Sequence, residues 1–246
     1  MVCRHCNFTM ELPKVCPQCN GSYLRSTGVG VEKLESEVAR FYPGAHVCRY
    51  DKGSADFAKG ADIMIATQAV FRRHDPWTVS LVALLNFDDQ IHHTDFRSGQ
   101  KVFWLLIHLR QLASERLLVQ TRMTSNYCLK AVRTMNFDKF YREELRLRKE
   151  LELPPYRFLV SLGLRGKKEQ VVFEQAHTLF EQLKKQNPKD VEISDPHPDV
   201  NPKLRDQYRY TILLKGRSVK SILTLIKRTL KQFKKRNIII AVNVDP

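Results

Sequence analysis

The 246-residue sequence predicts an α/β chain followed by a smaller α+β unit, and three observations carry that prediction. Two short apolar runs, Asp62-Ile63-Met64-Ile65-Ala66-Thr67-Gln68 and Val79-Ser80-Leu81-Val82-Ala83-Leu84-Leu85, read as buried parallel strands of one sheet. From Arg157 onward, strand-like and helix-like segments alternate in the order β-α-β-β-α-β, the split-βαβ or ferredoxin-like arrangement. A charged helical stretch over 138–152 stops at Pro154-Pro155, which marks a boundary between the two parts.

Taken in order, the first residues are cysteine-rich. Cys3-Arg4-His5-Cys6 and Cys16-Pro17-Gln18-Cys19 form two C-x-x-C pairs with nine residues between them. Each pair sets two thiolates on one side of a tight knuckle, and two knuckles can complete a tetrahedral shell around Zn²⁺. Such a site has no open position for water and is structural. In a reducing compartment the pattern means metal rather than disulfides. His5 faces solvent in this reading, and the short segment depends on its metal to fold.

Leu34, Val38 and Phe41 recur at helical spacing, Pro43-Gly44 ends that helix, and Ala45 to Asp51 reads as a strand with Cys48 as a small core residue. After Leu85, the Asp88/Asp89 and His92/His93 pairs resemble metal-ligand material, but nothing fixes them on one face of one element. Residues 98–112 form an aromatic, apolar helix, and Arg116 to Thr121 another strand.

In the last part, strands are expected at 157–164, 191–194, 209–215 and 238–244. Helices at 167–186 and 218–236 carry apolar faces led by Val172, Ala176, Leu179 and by Ile222, Ile226, Leu230. Residues 154–246 hold 19 Lys and Arg against 9 Asp and Glu, most of the excess behind the chain's net charge of +15. Lys220, Lys227, Lys231 and Lys234 make a basic stripe opposite the apolar face of the last helix. A basic surface spread through a folded chain fits a polyanion, most often nucleic acid. No run of 18 apolar residues and no signal peptide occurs, so the chain reads as soluble and cytoplasmic. No G-x-x-x-x-G-K-[ST] occurs either, so it carries no P-loop.

The ordered series C-x-x-C, C-P-x-C-x-G-S, G-x-G-x-E-K-L-E, I-A-T-Q, L-V-A-L-L, D-F-R-S, V-Q-T, L-P-P-Y and terminal V-D-P, from Cys3 to Pro246, resembles the C-terminal portion of the primosomal protein N′ (PriA) family of replication-restart helicases. That resemblance implies four parts. Residues 1–25 would be a zinc-binding segment and 26–125 a second RecA-like helicase lobe. Residues 126–153 would be a linking helix and 154–246 a ferredoxin-like primosomal domain. It also implies binding of branched or single-stranded DNA at stalled forks, contact with single-strand-binding protein and other primosomal proteins, and ATP-dependent 3′–5′ unwinding by the whole family member.

The departures are specific. The family's DNA-binding N-terminal domain, its first helicase lobe with the P-loop and its acidic box are absent from this sequence. Where the family has G-T-Q-x-x-x-K-G-H, this sequence reads Ala66-Thr67-Gln68-Ala69-Val70-Phe71-Arg72-Arg73-His74, with Arg73 in place of the glycine that permits close phosphate approach. Along His108 to Glu115, the family's two γ-phosphate arginines fall on Leu112 and Glu115. One such arginine is worth roughly 10³ to 10⁵ in rate in phosphoryl transfer. The helicase lobe is therefore expected to be degenerate, without catalytic residues, and Arg72 and Arg73 at its old nucleotide edge become candidate phosphate ligands. The family has four C-x-x-C pairs in two interleaved zinc sites, and this chain keeps the last two. Either Cys3, Cys6, Cys16 and Cys19 share one ion, or the chain is a fragment whose other half supplied their partners.

Three functional readings follow: a DNA-binding restart protein without ATP turnover of its own; the C-terminal half of a split helicase that needs a separate first lobe; and a zinc-stapled adaptor. In the last, Arg217 and Lys220 at the start of the final helix meet an acidic tail such as that of single-strand-binding protein.

Overall fold

The computed structural model describes residues 15, 19–22, 30–50, 60–72, 77–91, 95–187 and 190–245, with the backbone alone at Arg72. Two compact units result: one from the described residues of 11–82 and 111–118, the other from those of 83–110 and 119–246.

In the first unit, helix α1 (Val31–Phe41) packs on strands β1 (Val47–Tyr50) and β2 (Ile63–Ala66). The strands pair in parallel from Val47 opposite Ile63 to Tyr50 opposite Ala66. Asp62 fixes the entry to β2 by accepting from His46 N at 2.8 Å. A 3₁₀ turn spans Gln68–Arg72. Strand β3 (Val79–Leu84) pairs instead with β4 (Ala113–Val119) in a separate two-stranded sheet.

This corrects the reading of the 62–68 and 79–85 runs as buried parallel strands of one sheet. Among the described residues they lie in different sheets, and only Ile65 of β2 is buried. Leu81 and Leu118 are about half exposed. An apolar run reports what a strand would bury, and says nothing about which strand lies beside it. Helix α1 buries none of its residues, so the unit has little core.

The second unit has two cores. Helix α3 (Ser98–Leu112), as expected from the sequence, lies with α2 (Phe87–Ile91), α4 (Tyr127–Arg133) and α5 (Phe137–Glu150) around Phe87, Phe103, Leu106, Ala131 and Phe140. Phe103 and Phe140 stack at 3.8 Å between centroids. Asn126 and Asn136 cap α4 and α5, accepting from Cys128 N and Lys139 N, which satisfies amides that have no partner within the helix. Asp88 and Asp89 sit in the first turn of α2, where Asp88 accepts from Thr121 and from Arg122 N at 3.0 Å. That is a structural task, and His92 and His93 lie outside the described residues.

The second core belongs to the C-terminal sheet. Strands β5 (Phe158–Gly166), β6 (Val191–Ile193), β7 (His197–Leu204), β8 (Gln207–Gly216) and β9 (Ile239–Val244) form it in the order β6-β8-β5-β9, every neighbour antiparallel. Strand β7, not foreseen from the sequence, also pairs with β8, with a register shift between Pro198 and Lys203. A segment with Pro198 and Pro202 enters a sheet only at an edge or a bulge, and this one has both. Helices α6 (Glu169–Gln186) and α7 (Val219–Gln232) cover one face. Val160, Leu162, Leu164, Ile212 and Leu214 bury against Ala176, Leu179, Leu183, Ile222 and Ile226, as strand alternation and helical periodicity require. Gly166 allows a close approach: a Cβ there would meet Asn237 O and Val172 Cγ2, each at 3.0 Å.

Candidate nucleic-acid interface

Helix α7 orients the expected basic stripe. Its inner face buries Ile222, Leu225, Ile226 and Thr229, so the residues between them must face out. Lys220, Lys227 and Lys231 are exposed on it, and Lys234 is exposed just past its end. Lys227 and Lys231, one turn apart, line a shallow concavity with Thr224, Arg228 and Leu230. Lys220 lies two turns nearer the N-terminus, about 10 Å from Lys227 along the axis. Arg228 belongs to the scaffold: its Nε donates to Gln186 Oε1 at 3.1 Å and its guanidinium to Gln186 O, tying α7 to the end of α6. Exposed Arg217 precedes Ser218, whose hydroxyl caps the helix by accepting from Ser221 N.

The other expected site residues are not brought together. Arg72 ends the 3₁₀ turn, while Arg73 and His74 lie outside the described residues, as do Cys3, Cys6 and Cys16. Cys19 is exposed with a free thiol. A Cβ at Gly21 would stand 3.4 Å from Cys19 Sγ, an ordinary contact. Among the described residues, no group of three or more His, Cys, Asp or Glu side chains could hold a metal ion. Leu112 closes α3 and Glu115 is exposed on β4, so neither position carries an arginine.

Sequence reading missed two arrangements that join distant motifs. The D-F-R-S and V-D-P segments meet: Arg97 Nη2 donates to Asp245 O at 3.0 Å, while Asp245 N donates to Leu159 O at 2.8 Å. Asp95 organises the turn by accepting from Arg97 N at 2.8 Å and from Lys101. Partial burial opposes its charge, but these donors outweigh that and hold its carboxyl below the usual range. The second is a buried network. Glu144 Oε1 accepts from Arg148 Nε at 2.7 Å and forms an ion pair with its Nη2 at 2.6 Å. Tyr127 donates to Glu144 Oε2 at 2.5 Å, and burial with that bond pushes the phenol's pKa up. Arg148 continues to Pro154 O at 3.3 Å and over the Phe96 ring. The signal was i, i+4 spacing of Glu144 and Arg148, which on a charged helix ordinarily denotes a solvated pair.

Helix α7 gives the antiparallel α+β C-terminal unit a basic outer face. Comparison narrows the class. Residues 149–246 match the family described as Primosomal protein N C-terminal domain.

Along nearly its whole length the chain is similar to replication restart protein PriA. Against that of Bacillus subtilis (strain 168) it is 27% identical over 265 residues, covering 99% of this chain and 33% of that protein. Against that of Synechocystis it is 27% identical over 261 residues, covering 99% and 31%. Against that of Chlamydia muridarum it is 29% identical over 242 residues, covering 90% and 32%. The chain is thus similar to PriA, and it spans about a third of the length of these curated relatives. Among the described residues, no helix is long and apolar enough to cross a membrane.

Proposed function

We propose that the chain is a DNA-binding replication-restart protein of the PriA type, with α7 as a phosphate-binding surface and no ATP turnover from these residues alone. The observation that carries this reading is the conjunction of a PriA-like sequence over nearly the whole chain with exposed Lys220, Lys227, Lys231 and Lys234 on its C-terminal unit. The strand order β6-β8-β5-β9 with two helices on one face supports a ferredoxin-like reading of that unit, decorated by β7.

Each lysine that neutralises a phosphate releases a condensed counterion, so affinity falls as salt rises and carries little sequence preference. The absence of the P-loop pattern, together with Leu112 and Glu115 at the arginine positions, supports the lack of turnover. On the cysteine-rich segment, Cys3, Cys6, Cys16 and Cys19 would hold one Zn²⁺, which supplies cross-linking to a segment too short for a core. A first helicase lobe supplied separately remains the split-helicase alternative.

A second reading has its own observation. Arg217 and Lys220 flank the capped N-terminus of α7, where the helix dipole favours an anion, so an acidic peptide tail such as that of single-strand-binding protein fits there.

The test is binding of forked DNA and of an acidic peptide by the zinc-loaded chain, with ATP hydrolysis read in the same samples. Lys227→Glu with Lys231→Glu should weaken DNA binding at least tenfold, and Arg217→Glu with Lys220→Glu should abolish peptide binding. Unaltered DNA affinity in the first variant refutes the α7 assignment. Turnover by the chain alone refutes the inactive reading.

A further inference from the structure

The helices cover only one face of the C-terminal sheet. On the other, β-alternation and register place residues in rows. Thr211 lies opposite Gly163, Arg209 opposite Arg165, and Asn243 opposite Ser161. Arg165 and Asn243 are exposed, and among the described residues a Cβ built on Gly163 would meet nothing within 4 Å. A side chain added at Gly163 would enter open space.

Its cations lie beside apolar Leu213, Ala241 and Ile239 in the same rows, and among the described residues no carboxylate matches them. Two arginines sit directly cross-strand, an arrangement that repels unless an anion lies between them. Among the described residues no ion pair reaches either. Arg209 Nε is buried without a hydrogen-bond partner, a donor that a native structure ordinarily satisfies. At the sheet's other end, by contrast, the charges are matched: Lys215 pairs with Glu192 at 2.9 Å and with Glu152 at 3.7 Å, and Arg157 with Glu152 at 2.8 Å. The unpaired cations, the open space and the small hydrogen-bonding side chains thus coincide.

We infer that this helix-free face, around Ser161, Gly163, Arg165, Arg209, Thr211 and Asn243, is a second docking surface, for the sugar–phosphate backbone of duplex DNA. The inference rests on the DNA-binding reading above and adds a site on the side of the sheet away from α7. Arginine, serine, threonine and asparagine are the side chains that contact phosphate and sugar oxygens, and Arg165 with Arg209 can grip a phosphate through charged bonds. The strand positions that form this face carry no Phe, Tyr or Trp. It therefore offers no ring on which an unpaired base can stack, and single-strand surfaces depend on such rings. The duplex arm of a fork is the occupant that its shape and charge fit.

The experiment measures anisotropy of a labelled DNA duplex, a dT oligomer and an RNA duplex with the full chain across a salt series. It compares wild type with Gly163→Glu, with the Arg165→Ala/Arg209→Ala pair and with the Lys227→Ala/Lys231→Ala pair. Gly163→Glu introduces a negative charge into open space, at a strand position without unusual φ, and Gly163→Lys is its opposite. The alanine pair keeps the test decisive should the glutamate variant not fold, which circular dichroism reports.

The expected results are a loss of duplex affinity of about tenfold or more in Gly163→Glu and in the arginine pair. The salt slope of the arginine pair should fall by about two, and Gly163→Lys should bind more tightly. The dT oligomer should be affected less. Wild-type binding to duplex with unchanged affinity in both variants overturns the second surface and leaves α7 standing. Equal losses for dT and duplex, or a preference for RNA duplex, overturn the choice of occupant. Absence of wild-type DNA binding overturns the DNA-binding reading itself.

Discussion

Replacing Glu144 by leucine should destabilise the larger unit by about 3–5 kcal/mol, the range for breaking a buried ion pair by deleting one partner. Glu144 is 9% exposed at its side chain and Arg148 13%, so water cannot take the place of the lost carboxylate. The charge-assisted bond and ion pair with Arg148 disappear, and the Tyr127 hydroxyl, 2.5 Å from Oε2, loses its acceptor. Arg148 keeps Pro154 O and the face of Phe96, which places the effect toward the lower end, about 3 kcal/mol. Combining Glu144→Leu with Arg148→Met removes both charges and should restore about 2 kcal/mol, since apolar replacement of a buried pair is often neutral. Gly99→Ala attacks the same network sterically, because its Cβ would stand 2.0 Å from Tyr127 Oη and 2.6 Å from Glu144 Oε2. Urea unfolding followed by circular dichroism and Trp104 fluorescence gives all three. A cost under about 1 kcal/mol for Glu144→Leu, with no recovery in the double variant, would refute the idea that this network holds α3, α4 and α5 together.

Other perturbations test separate parts. Arg205 and Asp206 have φ of 52° and 55° in the two-residue turn between β7 and β8, the geometry of a type I′ hairpin that favours an Asn-Gly pair. The Arg205→Asn/Asp206→Gly double variant should therefore be more stable by about 1 kcal/mol. It gives up only the weak Lys203–Asp206 contact at 3.8 Å, and a lower melting temperature would count against that turn. Cys128 is fully buried, and burial pushes its thiol up to about 12, so a thiol reagent at pH 8 should label exposed Cys19 in metal-free protein and reach Cys128 only on unfolding. Because that pKa is raised, the contribution of Cys128 is complete below the unfolded value of about 8.5 and lost as pH rises toward 12, so Cys128→Ala should flatten the alkaline fall in stability. Asp95 is the opposite case: its depressed pKa gives stability that is present above the unfolded value of about 3.9 and lost as pH falls through the folded one. Melting temperatures of wild type and Asp95→Asn should therefore differ at pH 6 and converge near pH 2, and a constant gap would contradict the ionic role.

The C-terminal unit was legible because its helices and central strands repeat cleanly. Val172, Ala176, Leu179 and Leu183 recur at helical spacing, and they are the residues that α6 buries. Strand β7 was not, because His197 to Leu204 is mostly polar and contains two prolines, and backbone pairing at an edge needs no apolar face. The 62–68 and 79–85 runs were recognised as strands but assigned to one sheet, whereas they pair with β1 and β4 in separate sheets through register that composition does not encode. For the candidate sites, helical spacing showed the lysines of α7 in advance. The Arg165–Arg209 pair was hidden, because only the β5–β8 register brings those two side chains onto one face.

The proposed function has this PriA-like chain hold DNA through its basic C-terminal surface. Titrating a labelled forked duplex with the purified chain at salt concentrations from about 50 to 200 mM tests it most directly. The account predicts tight binding at the low end, a linear fall of log affinity with log salt equivalent to several released counterions, and a smaller slope when the lysines of α7 or the arginines of the open sheet face are removed. Binding that is absent at low salt, or that ignores salt and both sets of substitutions, would contradict it.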